Sequence, residues 1–197
     1  MEFTKLKQAL AAEAKAAGIC EQWYYYILRA TNKESLITLF NKGLDFCINK
    51  RFPSAELRAE FDGVRQHFGV YDSEEFTANN LRRVVAYGTA AGRIKIANFG
   101  VSLIWARDNS TLRVEARDNA FVCVNIADSA KVEIEASDAA RVSIVLHGGT
   151  YTSSTSGALR VNVLTSCVSK YNLIALPSFL MVKKPQLSGA TSNHTSL

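Results

Sequence analysis

The sequence predicts an α+β protein: an N-terminal helical bundle followed by a short parallel β-solenoid of ten-residue repeats, expected to coil right-handed. Three observations predict it. Apolar residues recur at helical spacing through about residue 70, strand-like alternation replaces that spacing from about residue 81, and the alternating region repeats every ten residues over seven decads. The expected division is a helical domain over 1–75, a solenoid over 76–165, and a C-terminal capping segment with a disordered tail over 166–197.

Residues 3–17 carry Phe3, Leu6, Leu10, Ala14 and Ala17 at spacings of three and four, and Gly18 supplies a stop. A second helix is expected over Glu21 to Ala30, with Trp23, Tyr26 and Ile27 on one face. Thr31-Asn32-Lys33-Glu34 fits a capping box, in which hydroxyl and carboxylate satisfy free amides at a helix start. The helix it opens carries Leu36, Leu39, Phe40, Leu44, Cys47 and Ile48. Pro53-Ser54 begins a fourth, with Leu57, Phe61, Val64 and Phe68 as its stripe and Gly69 at its end. Short connections between short helices imply a compact bundle.

Written in tens from Leu81, the chain reads LRRVVAYGTA, AGRIKIANFG, VSLIWARDNS, TLRVEARDNA, FVCVNIADSA, KVEIEASDAA and RVSIVLHGGT. The fourth column is Val84, Ile94, Ile104, Val114, Val124, Ile134 and Ile144, all β-branched. The sixth holds Ala, Ile or Leu, and the tenth is always small. Alternation within each decad is the period of a strand, and the Asp-Asn or Asp-Ser step that follows is turn chemistry. One decad is therefore one strand and one corner. Two or three decads per coil would enclose a core, and two are favoured over three. Arg113 then stacks near Glu133, although Glu115 would face Glu135 and repel it. An antiparallel meander is the alternative, but it would not need identical corners. The stretch from Tyr151 to Gly157 reads as a loop. Leu159, Val161 and Val163 resume a strand in shifted phase, and Asn172 to Val182 reads as a last strand or docking segment.

The decads Ala106-Arg-Asp-Asn-Ser-Thr-Leu-Arg-Val-Glu115 and Ala116-Arg-Asp-Asn-Ala-Phe-Val-Cys-Val-Asn125 resemble the A-x-D-N-A-x-V-x-V repeats of uncharacterised bacterial and prophage-type β-solenoid proteins, especially of gut Bacteroidetes. The segment with Gly43-Leu-Asp-Phe-Cys-Ile48 and Phe52-Pro-Ser54 is similar to what precedes some of those repeats. The resemblance covers about residues 20–150 and implies a fold without an activity.

Composition narrows the function classes. The 197 residues have a formal net charge of +5. That surplus is spread rather than gathered: residues 1–80 carry −1, 81–150 carry +2, and 151–197 carry +4 through Arg160, Lys170, Lys183 and Lys184. A phosphate-binding surface collects its cations along one face or groove, so a nucleic-acid partner is not favoured. No apolar run is long enough to span a membrane, and the start Met1-Glu2-Phe3-Thr4-Lys5 lacks signal-peptide order, so a cytoplasmic location is expected. Cys20, Cys47, Cys123 and Cys167 form no CxxC pair and have no histidine at ligand spacing.

The column Asp108, Asp118, Asp128 and Asp138 is the candidate metal set. Calcium corners of β-roll repeats need glycines around the aspartate, and these corners have none. The favoured reading has each Asp accepting amides of its own turn, with no metal and no cofactor. Carboxylates stacked about 5 Å apart at the strand spacing should raise one another's pKa and cost stability at high pH. His147-Gly148-Gly149 reads as a bend and His67 as a structural histidine. Tyr24 and Tyr25, on an all-aromatic run, and the outward-column residues Leu103 and Trp105 are the interface candidates, the latter two covered by the helical domain or by a partner.

Several activities lack their signatures: the six-residue period of acyltransferase helices, the acidity of pentapeptide DNA mimics, the threonine ladders of ice-binding solenoids, and the long grooves of polysaccharide lyases. The expectation is a non-enzymatic structural or protein-interaction role, with self-association or a protein partner and no small-molecule substrate. A small carbohydrate-active or hydrolytic β-helix enzyme is the alternative, and a nucleic-acid-binding accessory protein the second. Solenoid ends need caps. The helical domain is expected to supply one, the C-terminal segment or a second subunit the other.

Overall fold

A computed structural model describes residues 1–157 and the backbone of 160–165. Five helices come first: α1 (Phe3–Ala16), α2 (Glu21–Arg29), α3 (Lys33–Lys42), α4 (Leu44–Lys50) and α5 (Ala55–Ala59), then a 3-10 turn at Arg65–Phe68. Their apolar faces meet in one core that includes Leu6, Leu10, Ala14, Ile27, Leu36, Ile37 and Phe52. No helix among the described residues is long and apolar enough to cross a membrane.

Local chemistry corrects four expectations here. The capping box is shifted by one residue: the Asn32 side chain accepts from the Ser35 amide at 2.8 Å, and the Ser35 hydroxyl accepts from the Asn32 amide at 3.3 Å. The expected third helix is two, broken at Gly43, which is both the end of α3 and the start of α4. The expected fourth helix keeps only the short α5 before giving way to turns and the 3-10 segment. Tyr26 also leaves the apolar face of α2; it is exposed, and its hydroxyl accepts a hydrogen bond from Gln22.

Eleven strands follow among the described residues, all paired in parallel into two sheets. Odd-numbered strands form one sheet, in the order β1 (Val70–Asp72), β3 (Arg83–Tyr87), β5 (Val101–Ala106), β7 (Phe121–Ile126), β9 (Arg141–Leu146) and β11 (Arg160–Thr165). Even-numbered strands form the other, from β2 (Glu75–Asn79) through β4 (Ala91–Ile96), β6 (Thr111–Ala116) and β8 (Lys131–Asp138) to β10 (Thr150–Gly157). Each coil thus has one strand per sheet, and the chain makes a β-solenoid of roughly four turns. Partners such as Val101 and Phe121, or Thr111 and Lys131, stand two decads apart, the favoured coil length.

The register explains the repeat. Fourth-column residues from Val84 to Ile144 stack on one another between the sheets and are all fully buried. Each such Val or Ile contributes roughly 1.5–3 kcal/mol by leaving water. Glu115 does face Glu135 in register, and cations offset the repulsion: Arg113 hydrogen-bonds Glu135, and Glu115 lies within 4.0 Å of Arg93, Lys95, Arg113 and Arg117.

Two stretches differ from expectation. The solenoid starts early, with β1 at Val70 and β2 at Glu75, in a coil shorter than two decads that pairs Val70 with Val85 and Glu75 with Ala91. Here Phe76 stacks on Tyr71 at 3.7 Å and closes the bottom of the core. Gly92 stands where other coils place Leu112 and Val132, because a Cβ there would lie 2.2 Å from the Phe76 ring. At the other end Tyr151–Gly157 is not a loop: it lies in β10, paired residue by residue with β8. Its Ser and Thr residues gave no hydrophobic alternation to read, yet threonine suits a pleated strand. Thr150 pairs with Lys131, and in the other sheet Arg160 pairs with Arg141. Each step is one position short of two decads, so the phase shifts by one. The expected capping segment and tail at 166–197 lie outside the described residues.

Candidate functional site

Corners alternate between the two edges of the flattened coil. Along one edge the corner residues are Gly88, Asp108 and Asp128; along the other they are Asn98, Asp118 and Asp138. All six have left-handed backbone, with φ between 55° and 60°. Glycine, asparagine and aspartate tolerate that region best among the residues, so local sterics select the column.

Stacking then gives the aspartates their task. Asp108 accepts from the Gly88 amide at 2.9 Å and Asp118 from the Asn98 amide at 2.8 Å. One coil on, Asp128 accepts from the Asp108 amide and Asp138 from the Asp118 amide, both at 3.2 Å. The carboxylates therefore serve the corner one coil earlier, and not their own turn as the sequence suggested. A turn amide that the backbone ladder misses would otherwise be left without a partner.

The charge consequence is also opposite to the expectation. Burial pushes the Asp128 carboxyl up, but hydrogen bonds from Arg107 and the Asp108 amide, with the charges of Arg107 and Arg51, outweigh it and hold the group below its ordinary range. For Asp138 the hydrogen bonds from the Asp118 amide and Ser137 act in the same direction. Among the described residues no group of three or more His, Cys, Asp or Glu side chains gathers as a metal cluster.

The two edges part company in what covers them. On the Asp108–Asp128 edge the helical domain docks. Arg107, only 6% exposed, donates from Nε to Asp128 at 2.8 Å and from Nη1 to the Ile48 carbonyl at 2.9 Å. Arg51 reaches Asp128 at 2.5 Å, and Arg58, stacked 4.4 Å over the Tyr87 ring, donates to Asp72 at 2.8 Å. Beneath them Leu44, Ile48, Val70, Val85, Tyr87 and Trp105 form a separate core.

Of the interface candidates, Trp105 is 2% exposed and belongs to that seam, with Leu103 packed at its border. It is out of a partner's reach. Tyr24 is half-buried against the helical core, and Tyr25 is exposed on α2. His147 lies at the seam, its ring 5.9 Å from Trp105, and burial lowers its pKa. Cys47 is buried, Cys123 half-buried and Cys20 exposed.

No family model, curated protein or solved structure matches this chain.

Among the described residues, no helix lies on the Asn98–Asp118–Asp138 edge. On it stands the residue that sequence reading missed: Phe99, 81% exposed. Beside it, Val101 is 48% exposed and its register partner Phe121 is half-buried. Arg117, Asp118, Asp138 and Arg141 are exposed around them. The signal was present in the repeat. The ninth column otherwise reads Thr89, Asn109, Asn119, Ser129, Ala139 and Gly149, so a phenylalanine there serves neither corner nor core.

Proposed function

We propose that this protein is a non-enzymatic interaction module that self-associates through the edge of its solenoid that bears Phe99. The observation that carries the reading is Phe99, an aromatic ring 81% exposed at a corner of the coil. Exposed apolar groups rimmed by polar ones mark contact surfaces, and a phenylalanine offers a large contact area with only two side-chain torsions to order.

A second copy is the occupant because the edge is its own complement. A twofold contact presents the same patch from both sides. Phe99, Val101 and Phe121 would meet their like, and the rim carries both signs, Arg117 and Arg141 with Asp118 and Asp138, so cations can face anions across the axis. What the other charged groups do supports a binding role over a catalytic one: the corner carboxylates are engaged by backbone amides, and two of them also by arginine from Arg51, Arg58 or Arg107.

Sedimentation velocity over a wide concentration range tests this. The expected result is a concentration-dependent dimer that Phe99→Ser abolishes and Arg117→Glu weakens. A monomer at every concentration, or a dimer indifferent to Phe99→Ser, overturns it.

A further inference from the structure

The helical domain does not fill its own interior. Between α1, α2, α3, α4 and the 52–70 segment lies a pocket of about 370 Å³, with walls almost wholly apolar. Protein interiors pack with few voids larger than a water. An apolar cavity of about 150 Å³ stays dry and takes up benzene, and ligand sites begin near about 300 Å³. This pocket is in the second range.

Its lining says what kind of molecule fits. Trp23, Phe40, Phe46, Phe52 and Phe61 face it, which suits an aromatic guest. Two arginines, Arg58 and Arg65, also line it, and both guanidinium charges are already matched. Arg58 pairs with Asp72 at 2.8 Å, and Arg65 pairs with Glu74 and, at 3.1 Å, with Asp62. An anionic guest would have to break one of these pairs. Arg65 is itself only 6% exposed, and its Nε is sealed from the pocket surface. The walls therefore offer a guest no accessible donor, and a polar group brought into the pocket would lose its water without replacement.

We infer that the helical domain holds a binding site for a compact, uncharged, apolar aromatic molecule, with its rings among Trp23, Phe40, Phe46 and Phe52. The site is separate from the solenoid edge: it shares no residue with the Phe99 patch.

Isothermal titration calorimetry on the full chain with three probes of one shape tests it. Naphthalene is expected to bind one to one. 2-Acetylnaphthalene, whose carbonyl finds no donor in the walls, should bind several-fold to about tenfold more weakly, and 2-naphthoate more weakly still. Cys47→Phe, which places a ring in the pocket, should remove binding of all three. Because that variant is prone to misfold, a second readout uses the Cys20→Ser protein: naphthalene should slow modification of Cys47 by a small neutral thiol reagent. Absence of saturable binding by naphthalene overturns the site. Naphthoate binding as tightly as naphthalene overturns the assignment to an uncharged guest. Unchanged Cys47 modification, or unchanged binding in a folded Cys47→Phe protein, overturns the location.

Discussion

The tetrapeptide Ala-Arg-Asp-Asn occurs twice, at 106–109 and 116–119, and the two copies have opposite fates. Arg107 is buried under the helical domain, while the Arg117 side chain is 63% exposed on the free edge. Both aspartates accept an amide from the coil before. The comparison separates two roles that one motif can have: the Asp belongs to the coil, whichever edge it is on, whereas the Arg belongs to the interface it happens to face. Local chemistry is thus repeated in every decad, but docking is repeated only in every second one, since alternate corners lie on the same edge.

The largest difference should come from the arginines. Arg107→Ala takes a buried guanidinium from the half-buried Asp128 carboxylate and leaves the Ile48 carbonyl without its donor, and should cost about 3 kcal/mol in urea unfolding. Arg117→Ala, on an exposed side chain, should stay within about 0.5 kcal/mol. Equal costs would show that the helices do not lean on that edge.

Next come the ladder carboxylates. Asp128→Ala loses an amide and two arginine contacts, and about 2 kcal/mol is expected from charged hydrogen bonds at a partly exposed site. Asp138→Ala should have the same sign and a smaller size, read from the same melts. An Asp138 effect as large as that of Asp128 would place the ladder's value in the coil alone.

Acid should expose the same ordering. Asp128 and Asp138 have folded pKa values below the ordinary one. Their contribution is complete above about pH 4, the unfolded value, and is lost as pH falls through the folded values. His147, whose folded pKa is lowered by burial, begins to subtract from stability below about pH 6.5 as its unfolded form takes up a proton. The urea midpoint should therefore be flat between about pH 7 and 8 and fall on the acid side. The Asp128→Asn protein should show a shallower fall below about pH 4 than Asp138→Asn. A midpoint that drops toward pH 8 instead would restore carboxylate repulsion as the dominant effect.

The smallest change in stability, within about 0.5 kcal/mol, is expected for Phe99→Ser, since the ring touches little of its own chain. If that variant melts like the parent while sedimenting as a monomer, the free edge is a contact surface and not part of the coil's support.

Much of this was legible from residue order. The seven β-branched residues of the fourth column, the small tenth column and the corner aspartates give the strands and the corners, because each is dictated by neighbours at fixed separation; the coil length stood between two decads and three, and strand pairing decided for two. Polar Tyr151–Gly157 was not legible as a strand, since what makes it one is the ladder offered by β8. Nor was the pocket among Trp23, Phe40 and Phe46, as apolar rings read the same whether they fill a space or line one. Phe99 was visible only as a broken column, and its exposure needed the knowledge of which edge the helices leave bare.

What the sequence alone determined is the periodic part: a β-solenoid behind a helical domain, with its core columns and its left-handed corners, all set by local sterics and by burial at a constant period. The tertiary structure alone decided which of two chemically alike edges is covered. That choice rests on contacts such as Arg107 with Ile48 and Arg51 with Asp128, between residues 59 and 77 positions apart, and no ten-residue pattern carries information over that distance.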